Sequence, residues 1–319
     1  MPQSESSSSP KVASAAPDVA GQIFTFLAFT IWGLLPFYWK WLHVVPAVEI
    51  LAHRVIWSAL FMGLLVVVRH RDEIRDFLKD RRMRARSIAA VTFCAVAVSA
   101  NWLLYVWAVN ADHVVEASLG YYFTPLLNVF LGVVFLKERP RGLEISALIL
   151  ATVGVVVVTA GFGSIPWISI GLAVSFGFYG LVKKIGHLNA AVGLAFEMLL
   201  LLPAAGIYLA VIGAGGRDHF FATPLVTILL AGSGAITAIP LLLFGAGARR
   251  VPLSHVAFFQ YLAPTLMLLI GTIIYREPVT TPQFLSFIFI WIALAIYTVS
   301  LVRASRGRSA RRALEQERP

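Results

Sequence analysis

Charge is what this sequence has least of. Asp, Glu, Lys and Arg together make up 13% of its 319 residues, against roughly a quarter in a soluble domain. A surface drawn from these residues could not be wetted by water, and with apolar types at 59% the implied solvent is lipid. Cysteine occurs once, as Cys94 inside an apolar run. That excludes an internal disulfide and a structural zinc site, and it leaves the redox compartment undetermined. No HExxH helix, P-loop, Gly-rich dinucleotide fingerprint or paired-aspartate motif is present, so no metal ion or cofactor is expected. Residues 1–20 are rich in Ser, Ala and Pro and lack the apolar central block of a secretory signal; they read as a disordered tail, as does the Arg-rich stretch 303–319.

What is present is a near-continuous series of apolar runs. Crossing a hydrocarbon layer of about 30 Å takes about 20 residues of helix, and ten runs of that order follow one another. They lie near 22–41, 46–68, 88–109, 115–136, 143–160, 166–182, 190–212, 223–248, 252–275 and 281–302. The predicted fold is an all-α integral membrane protein with ten transmembrane helices. The basic excess, 26 Lys and Arg against 16 Asp and Glu, would suggest nucleic acid in a soluble protein. Here it sets orientation, because cytoplasmic loops retain Lys and Arg. With the first run starting inside, the inner side collects Lys11, Arg69 to Arg86, Lys137, Arg139, Arg141, Lys183, Lys184, Arg249, Arg250 and the basic tail, while the outer side receives Lys40, Arg217 and Arg276. Both termini are therefore expected in the cytoplasm. The stretch Arg69 to Arg86 alternates signs and reads as a surface helix beside anionic lipid, with nothing that suggests nucleic-acid binding.

The chain also repeats itself. Tyr122, Pro125, Gly132, Lys137 and Glu138 correspond to Tyr261, Pro264, Gly271, Arg276 and Glu277, every pair 139 positions apart, and Tyr105 falls on Phe244 at the same spacing. Spacings of 144 and 143 place Trp32 and Gly33 on Phe176 and Gly177, Lys40 on Lys184, and Arg54 on Glu197. Each half, 21–160 and 161–302, then holds five spans, and an odd number inverts the second half in the membrane. Two inverted five-helix repeats are an architecture of alternating-access carriers, with solute held near the midplane where the halves meet.

The strings WGLLPFYWKWL, AHRVIWSAL, NWLLYVWAVN, VEASLGYYFTPLLNVFLGVVFLKER and PLLLFGAGARRVPLSHVAFFQYLAPTLMLLIGTIIYREP resemble the RarD branch of the EamA family in the drug/metabolite transporter superfamily. The resemblance runs from about Gly21 to Val302. It implies a ten-helix, two-repeat permease of the bacterial inner membrane acting on a drug or metabolite, with export favoured over uptake; the branch name refers to chloramphenicol sensitivity. It does not supply the solute.

Ionised side chains inside spans normally face a cavity or a partner. Glu49 and His53 share a helix face and Arg54 is turned about 100° further round, about 12 Å below the outer end of its span. Its repeat counterpart Glu197 lies similarly deep in the other half. Arg54 and Glu197 are therefore expected at the central cavity, one attracting an anionic and the other a cationic group, as a zwitterionic or amphiphilic solute would need. The alternative is that Arg54 snorkels outward or is neutralised by Glu49. Asn101 with Tyr105, and Gln260 with Tyr261, place amide and phenol groups at mid-depth, able either to orient a solute or to tie helices together. Trp32, Trp57, Trp107, Tyr122 and Phe259 are candidates for an apolar wall, whereas Trp39, Trp41 and Trp291 read as interfacial anchors.

Pro36, Pro125, Pro203, Pro240 and Pro264 interrupt helices as hinges or as static kinks. Gly120, Gly132, Gly177, Gly245 and Gly271 permit close helix contact. Lys137-Glu138-Arg139 and Arg276-Glu277 lie at opposite faces, either locking one state at a gate or forming solvated loops. Without a nucleotide site, transport runs downhill or on an ion gradient, for which Glu197 or Glu49 could carry a proton. The competing class is a membrane-embedded serine hydrolase or protease built on the Gly232-Ser233-Gly234 segment with His53 or His255 as base. Expected partners are a small-molecule solute and membrane lipid, with a homodimer also allowed.

Overall fold

The computed structural model describes residues 19–79, 81–137, 143–161, 165–185, 190–248, 250, 259–293, 295, 296, 298 and 299. Among them there is no strand. The helices are α1 (Val19–Lys40), α2 (Ala47–Arg69), α3 (Arg71–Lys79), α4 (Arg81–Asn110), α5 (Val114–Leu136), α6 (Leu143–Gly161), α7 (Trp167–Ile185), α8 (Ala190–Ala214), α9 (Pro224–Ala248), α10 (Leu262–Leu269) and α11 (Thr281–Ala293). A π-helical turn, Ile270–Ile274, continues α10. The expected tails, Glu138 and Arg139 in the first gate motif, Arg249, and residues 251–258 with His255 lie outside the described residues.

Among the described residues the apolar runs are largely helical, and five helical stretches there are long and apolar enough to cross a bilayer, namely Val19–Lys40, Ala47–Arg69, Ser87–Asn110, Ala191–Ala214 and Pro224–Phe244. In lipid the backbone must satisfy its own hydrogen bonds, which leaves helix as the conformation for such sequences. The expected single surface helix from Arg69 to Arg86 is divided. His70 closes α2 by donating its N–H to Val66 at 2.8 Å, α3 follows, and Arg81 to Arg86 already belong to the helix that descends through Ser87–Asn110.

The distribution of side chains is that of a protein dissolved in lipid. Leu60, Leu64 and Val68 form an exposed apolar stripe along α2, as do Ile207 and Val211 on α8, while Glu49, Arg54, Asn101, Glu116, Glu197 and Glu277 are buried. In water this arrangement would be inside out; in hydrocarbon it is the favourable one.

The strongest packing runs between the two halves of the sequence: α1 lies on α9 and α10, α2 on α8 and α9, α4 on α7 and α8, and α5 on α7. Glycine admits the close approaches. A Cβ on Gly33 of α1 would stand 2.8 Å from Leu266 of α10, and one on Gly177 of α7 would stand 2.8 Å from Leu127 of α5. Lys137 after α5 and Arg276 after the π turn both adopt the left-handed conformation, with φ of 55° and 54°, unusual for side chains of this size.

At one end of the bundle several helices are bound together by charge. Lys40 pairs with Asp112 and also donates to the Val109 carbonyl at 3.3 Å. The chain reverses through Arg276, the Glu277 N–H returns to the Gly271 carbonyl at 2.9 Å, and the Glu277 carboxylate accepts the free N–H groups of Val114 and Val115 at 2.9 and 2.8 Å. A carboxylate at a helix N-terminus satisfies orphan donors and opposes the positive end of the helix dipole. Glu277 is thus a buried cap that ties the α10 side to α5, not a solvated loop residue.

Candidate functional site

The site grows from α2. Pro46 precedes this helix, with φ −56° and ψ 138°, and starts it at Ala47. One face carries Glu49 and His53 toward the connection between α8 and α9. There the Glu49 carboxylate accepts the backbone N–H of His219 at 2.7 Å and meets its ring Nδ1 at 2.7 Å, and the His53 ring stacks on Phe220 at 4.9 Å. Neither side chain touches Arg54, so Glu49 does not neutralise it.

Arg54, about 100° further round the helix, turns into the bundle and is 4% exposed, so it does not snorkel outward. Its guanidinium lies over the Trp102 ring at 3.8 Å and near that of Trp39 at 5.1 Å, with α4 and α1 each supplying one ring. Cation–π contact offsets part of the loss of hydration. Nε donates to the Thr237 hydroxyl on α9 at 2.8 Å, and that hydroxyl passes its own proton to the Ser233 carbonyl at 2.8 Å. Nη1 has no hydrogen-bond partner among the described residues. No carboxylate among the described residues forms an ion pair with Arg54. Unpartnered donors collect nearby: Trp39 Nε1 and the Tyr105 and Ser58 hydroxyls are buried without a bond among the described residues, as is Trp57 Nε1. Buried polar groups are otherwise almost always paired, so such a cluster is where a polar ligand or water would find donors.

Glu197 has a different environment. It is 1% exposed and bound at 2.5 Å by Lys183 Nζ and at 3.3 Å by the Tyr179 hydroxyl, both from α7. The carboxylate expected to await a cationic group is already held by a lysine that was assigned to a cytoplasmic connection. The reason is local: α7 stays helical to Ile185, which brings Lys183 alongside α8.

The remaining candidates separate. Asn101 donates to the Leu172 carbonyl at 3.0 Å and the Ser175 hydroxyl at 2.9 Å and accepts from Tyr121 at 3.4 Å, which ties α4 to α7. Tyr105 is buried one turn along, edge-on to Tyr121 at 5.6 Å. The Tyr122 hydroxyl bonds Thr265 at 2.6 Å and receives the Trp291 N–H at 3.1 Å, joining α5 to α10 and α11. Trp57 stacks beside Phe220 at 6.3 Å. Gln260 and Tyr261 are half-buried at the start of α10, where Tyr261 packs on the cluster around Val115 and Leu119. Trp107 is 40% exposed against His113 and Trp167, a surface position rather than a site wall.

Trp39 corrects the sequence reading in the opposite sense. Expected as an interfacial anchor, it is fully buried beside Arg54, while Trp41, two residues on, is 60% exposed. Trp102, Thr237, Tyr38 and Tyr121 were not singled out from the sequence. The signal available was spacing: Trp102 and Tyr105 are three apart on one helix and therefore share a face.

The serine-hydrolase alternative finds no support. Gly232-Ser233-Gly234 lies within α9, and Ser233 is fully buried with its hydroxyl donated to the Leu230 carbonyl at 2.6 Å. Gly234 is there because a Cβ would stand 2.3 Å from the Trp57 carbonyl carbon of α2.

Comparison with known proteins agrees with this picture. Residues 19–160 match the EamA-like transporter family. Protein RarD of Escherichia coli (strain K12) is 42% identical over 290 residues, covering 91% of this chain and 97% of its own length. The uncharacterized transporter YojE of Bacillus subtilis (strain 168) is 41% identical over 296 residues, covering 90% of this chain and 96% of its own. A solved crystal structure with 14% sequence identity superposes over 88% of this chain and 97% of its own with a TM-score of 0.57, a likeness of fold alone. By sequence over nearly its whole length, the chain is a multi-pass membrane protein that belongs to the RarD branch of the EamA-like transporter family.

Proposed function

We propose that the protein is a secondary transporter that moves a small organic solute, a metabolite or drug, across the bacterial inner membrane by alternating access between two inverted five-helix halves, 21–160 and 161–302. Residues 1–20 and 303–319 face the cytoplasm, and the direction is export. The pairing of contacts supports the inverted halves. Exchanging each helix for its repeat counterpart turns α1 on α9 into α7 on α4, α2 on α9 into α8 on α4, and α5 on α7 into α10 on α1, and all of these contacts occur. The same exchange turns Gly33 against Leu266 into Gly177 against Leu127. The equal left-handed turns at Lys137 and Arg276 also fit it.

The observation that carries the functional reading is Arg54, a buried guanidinium with no carboxylate partner among the described residues, held between helices of both halves. A charge left unpaired in a membrane interior costs several kcal/mol, which a bound solute would relieve. Tyr105, Trp39, Trp102 and Thr237 complete the site, with Tyr122, Gln260, Tyr261 and Asn101 shaping the seam around it. Proton coupling through Glu197 or Glu49 would require breaking the bonds to Lys183 or His219 during the cycle. The test is counterflow in proteoliposomes loaded with a bacterial metabolite extract and read by mass spectrometry, with and without a pH gradient. Wild-type protein is expected to exchange at least one solute, and Arg54→Leu to lose it while inserting normally. Unchanged flux in Arg54→Leu ends the assignment of the site, and absence of flux in the wild type ends the carrier reading.

A further inference from the structure

We propose that the Arg54 site takes a small organic monoanion, a carboxylate on a flat apolar body, and excludes zwitterions. The inference rests on the carrier reading above and names its substrate class. Near Arg54 what is unsatisfied is largely donor. Arg54 Nη1 and Trp39 Nε1 can only donate, and the Tyr105 hydroxyl is also without a partner among the described residues. The Thr237 hydroxyl takes the Arg54 Nε–H and donates onward to Ser233, and the Asn101 oxygen is met by Tyr121, while the unpartnered Ser58 and Tyr105 hydroxyls can turn to donate or accept. A group that completes this set must accept hydrogen bonds. Because Arg54 keeps its charge, the group must also be negative.

One fixed positive charge calls for one negative charge. A zwitterion would bring an ammonium group as well, and that group needs a carboxylate. Each buried carboxylate among the described residues is occupied: Glu49 by His219, Glu197 by Lys183 and Tyr179, Glu277 by the Val114 and Val115 amides, and Glu116 by His113 at 3.7 Å. An ammonium group entering here would be desolvated without compensation.

The rest of the ligand follows from the walls. The Trp102 and Trp39 rings lie against the guanidinium at 3.8 and 5.1 Å, and Nη1 is the nitrogen without a hydrogen-bond partner among the described residues, so it is the donor assigned to the anion. Trp39 and Tyr105 belong to one apolar cluster with Tyr121 packed against it, and these rings supply flat apolar surface for the ligand body. Neutral hydrogen-bonding solutes such as amides lack the charge, and aliphatic dianions carry one charge too many.

The experiment measures binding to the full-length protein in nanodiscs by tryptophan fluorescence quenching, since Trp39 and Trp102 flank the charge. The probes are benzoate, benzamide, benzylamine and phenylalanine. Benzoate is expected to bind about tenfold or more tightly than benzamide, the loss anticipated when a charge-assisted hydrogen bond is removed, with benzylamine and phenylalanine no better than benzamide. Arg54→Gln is expected to abolish the preference for benzoate, and Arg54→Lys to retain part of it, which guards against a folding defect in the first variant. The proposal is overturned if benzamide matches benzoate, if phenylalanine binds more tightly than benzoate, if the preference survives in Arg54→Gln, or if none of the four binds at millimolar concentration. Counterflow separates the two readings. Flux without anion preference refutes the substrate class alone, whereas Arg54-dependent benzoate binding without any flux refutes the carrier alone.

Discussion

The Glu277 cap is predicted to act as a latch, on the outer side in the proposed orientation, and its strength can be worked from the geometry. Its carboxylate accepts two backbone N–H groups, at 2.9 and 2.8 Å, from the first two residues of α5, and the side chain is 8% exposed. Glu277→Gln keeps the shape but removes the charge and turns an amide NH2 toward one of the two donors. Loss of a hydrogen bond to a charged group costs about 1.5–3 kcal/mol, and loss of the favourable helix-dipole term about 0.3–1 kcal/mol. Together these come to about 2–4 kcal/mol, a shift of roughly 25- to 700-fold in any equilibrium in which the cap exists on one side only. Access can be read by cysteine labelling, because the only native thiol, Cys94, is 2% exposed and can be replaced by Ala. In that background Ala117→Cys puts a thiol at a fully buried position on the first turn of α5. A membrane-impermeant maleimide added from outside should label it slowly with Glu277 present and at least about tenfold faster in Glu277→Gln. An unchanged labelling rate in folded protein would refute the latch, and a lower Tm without faster labelling would reduce Glu277 to a structural cap.

Two further predictions concern stability. Lys183→Met strands the Glu197 carboxylate in the bundle, and removing one partner of a buried pair costs about 3–5 kcal/mol. Its Tm should fall sharply and recover in the Lys183→Met, Glu197→Gln double variant; full stability of the single variant would show that the pair does not matter to the fold. Gly234→Ala drives a Cβ into the α2 backbone at Trp57, whereas Gly206→Ala on α8 meets nothing within 4 Å. Thermal unfolding in detergent should show Gly234→Ala destabilised by about 1–3 kcal/mol and Gly206→Ala unchanged or slightly more stable; equal effects would contradict the helix contact.

The individual residues show how far sequence reading reaches. Arg54 was legible because a charge in an apolar run stands out against its neighbours. Its surroundings were not, since Trp102, Trp39 and Thr237 come from three other helices. Trp39 was misplaced because position near the end of a run suggests an interface, and only the packing of α1 against its neighbours decides that Trp39 is buried while Trp41 is exposed. Glu197 stood out as a carboxyl inside an apolar run but was credited with a free charge, for nothing local announces that Lys183 will reach it from α7.

By itself the sequence determined the solvent and the helical character of the apolar runs, both of which follow from local composition and spacing. A lipid environment forces apolar runs into helix whatever their neighbours are. Which charges are paired and which are left over was decided only in three dimensions, because an ion pair or a stacked ring depends on the rotation and approach of helices far apart in the chain. Lys183 closing on Glu197 while Arg54 Nη1 has no hydrogen-bond partner among the described residues is a property of that packing.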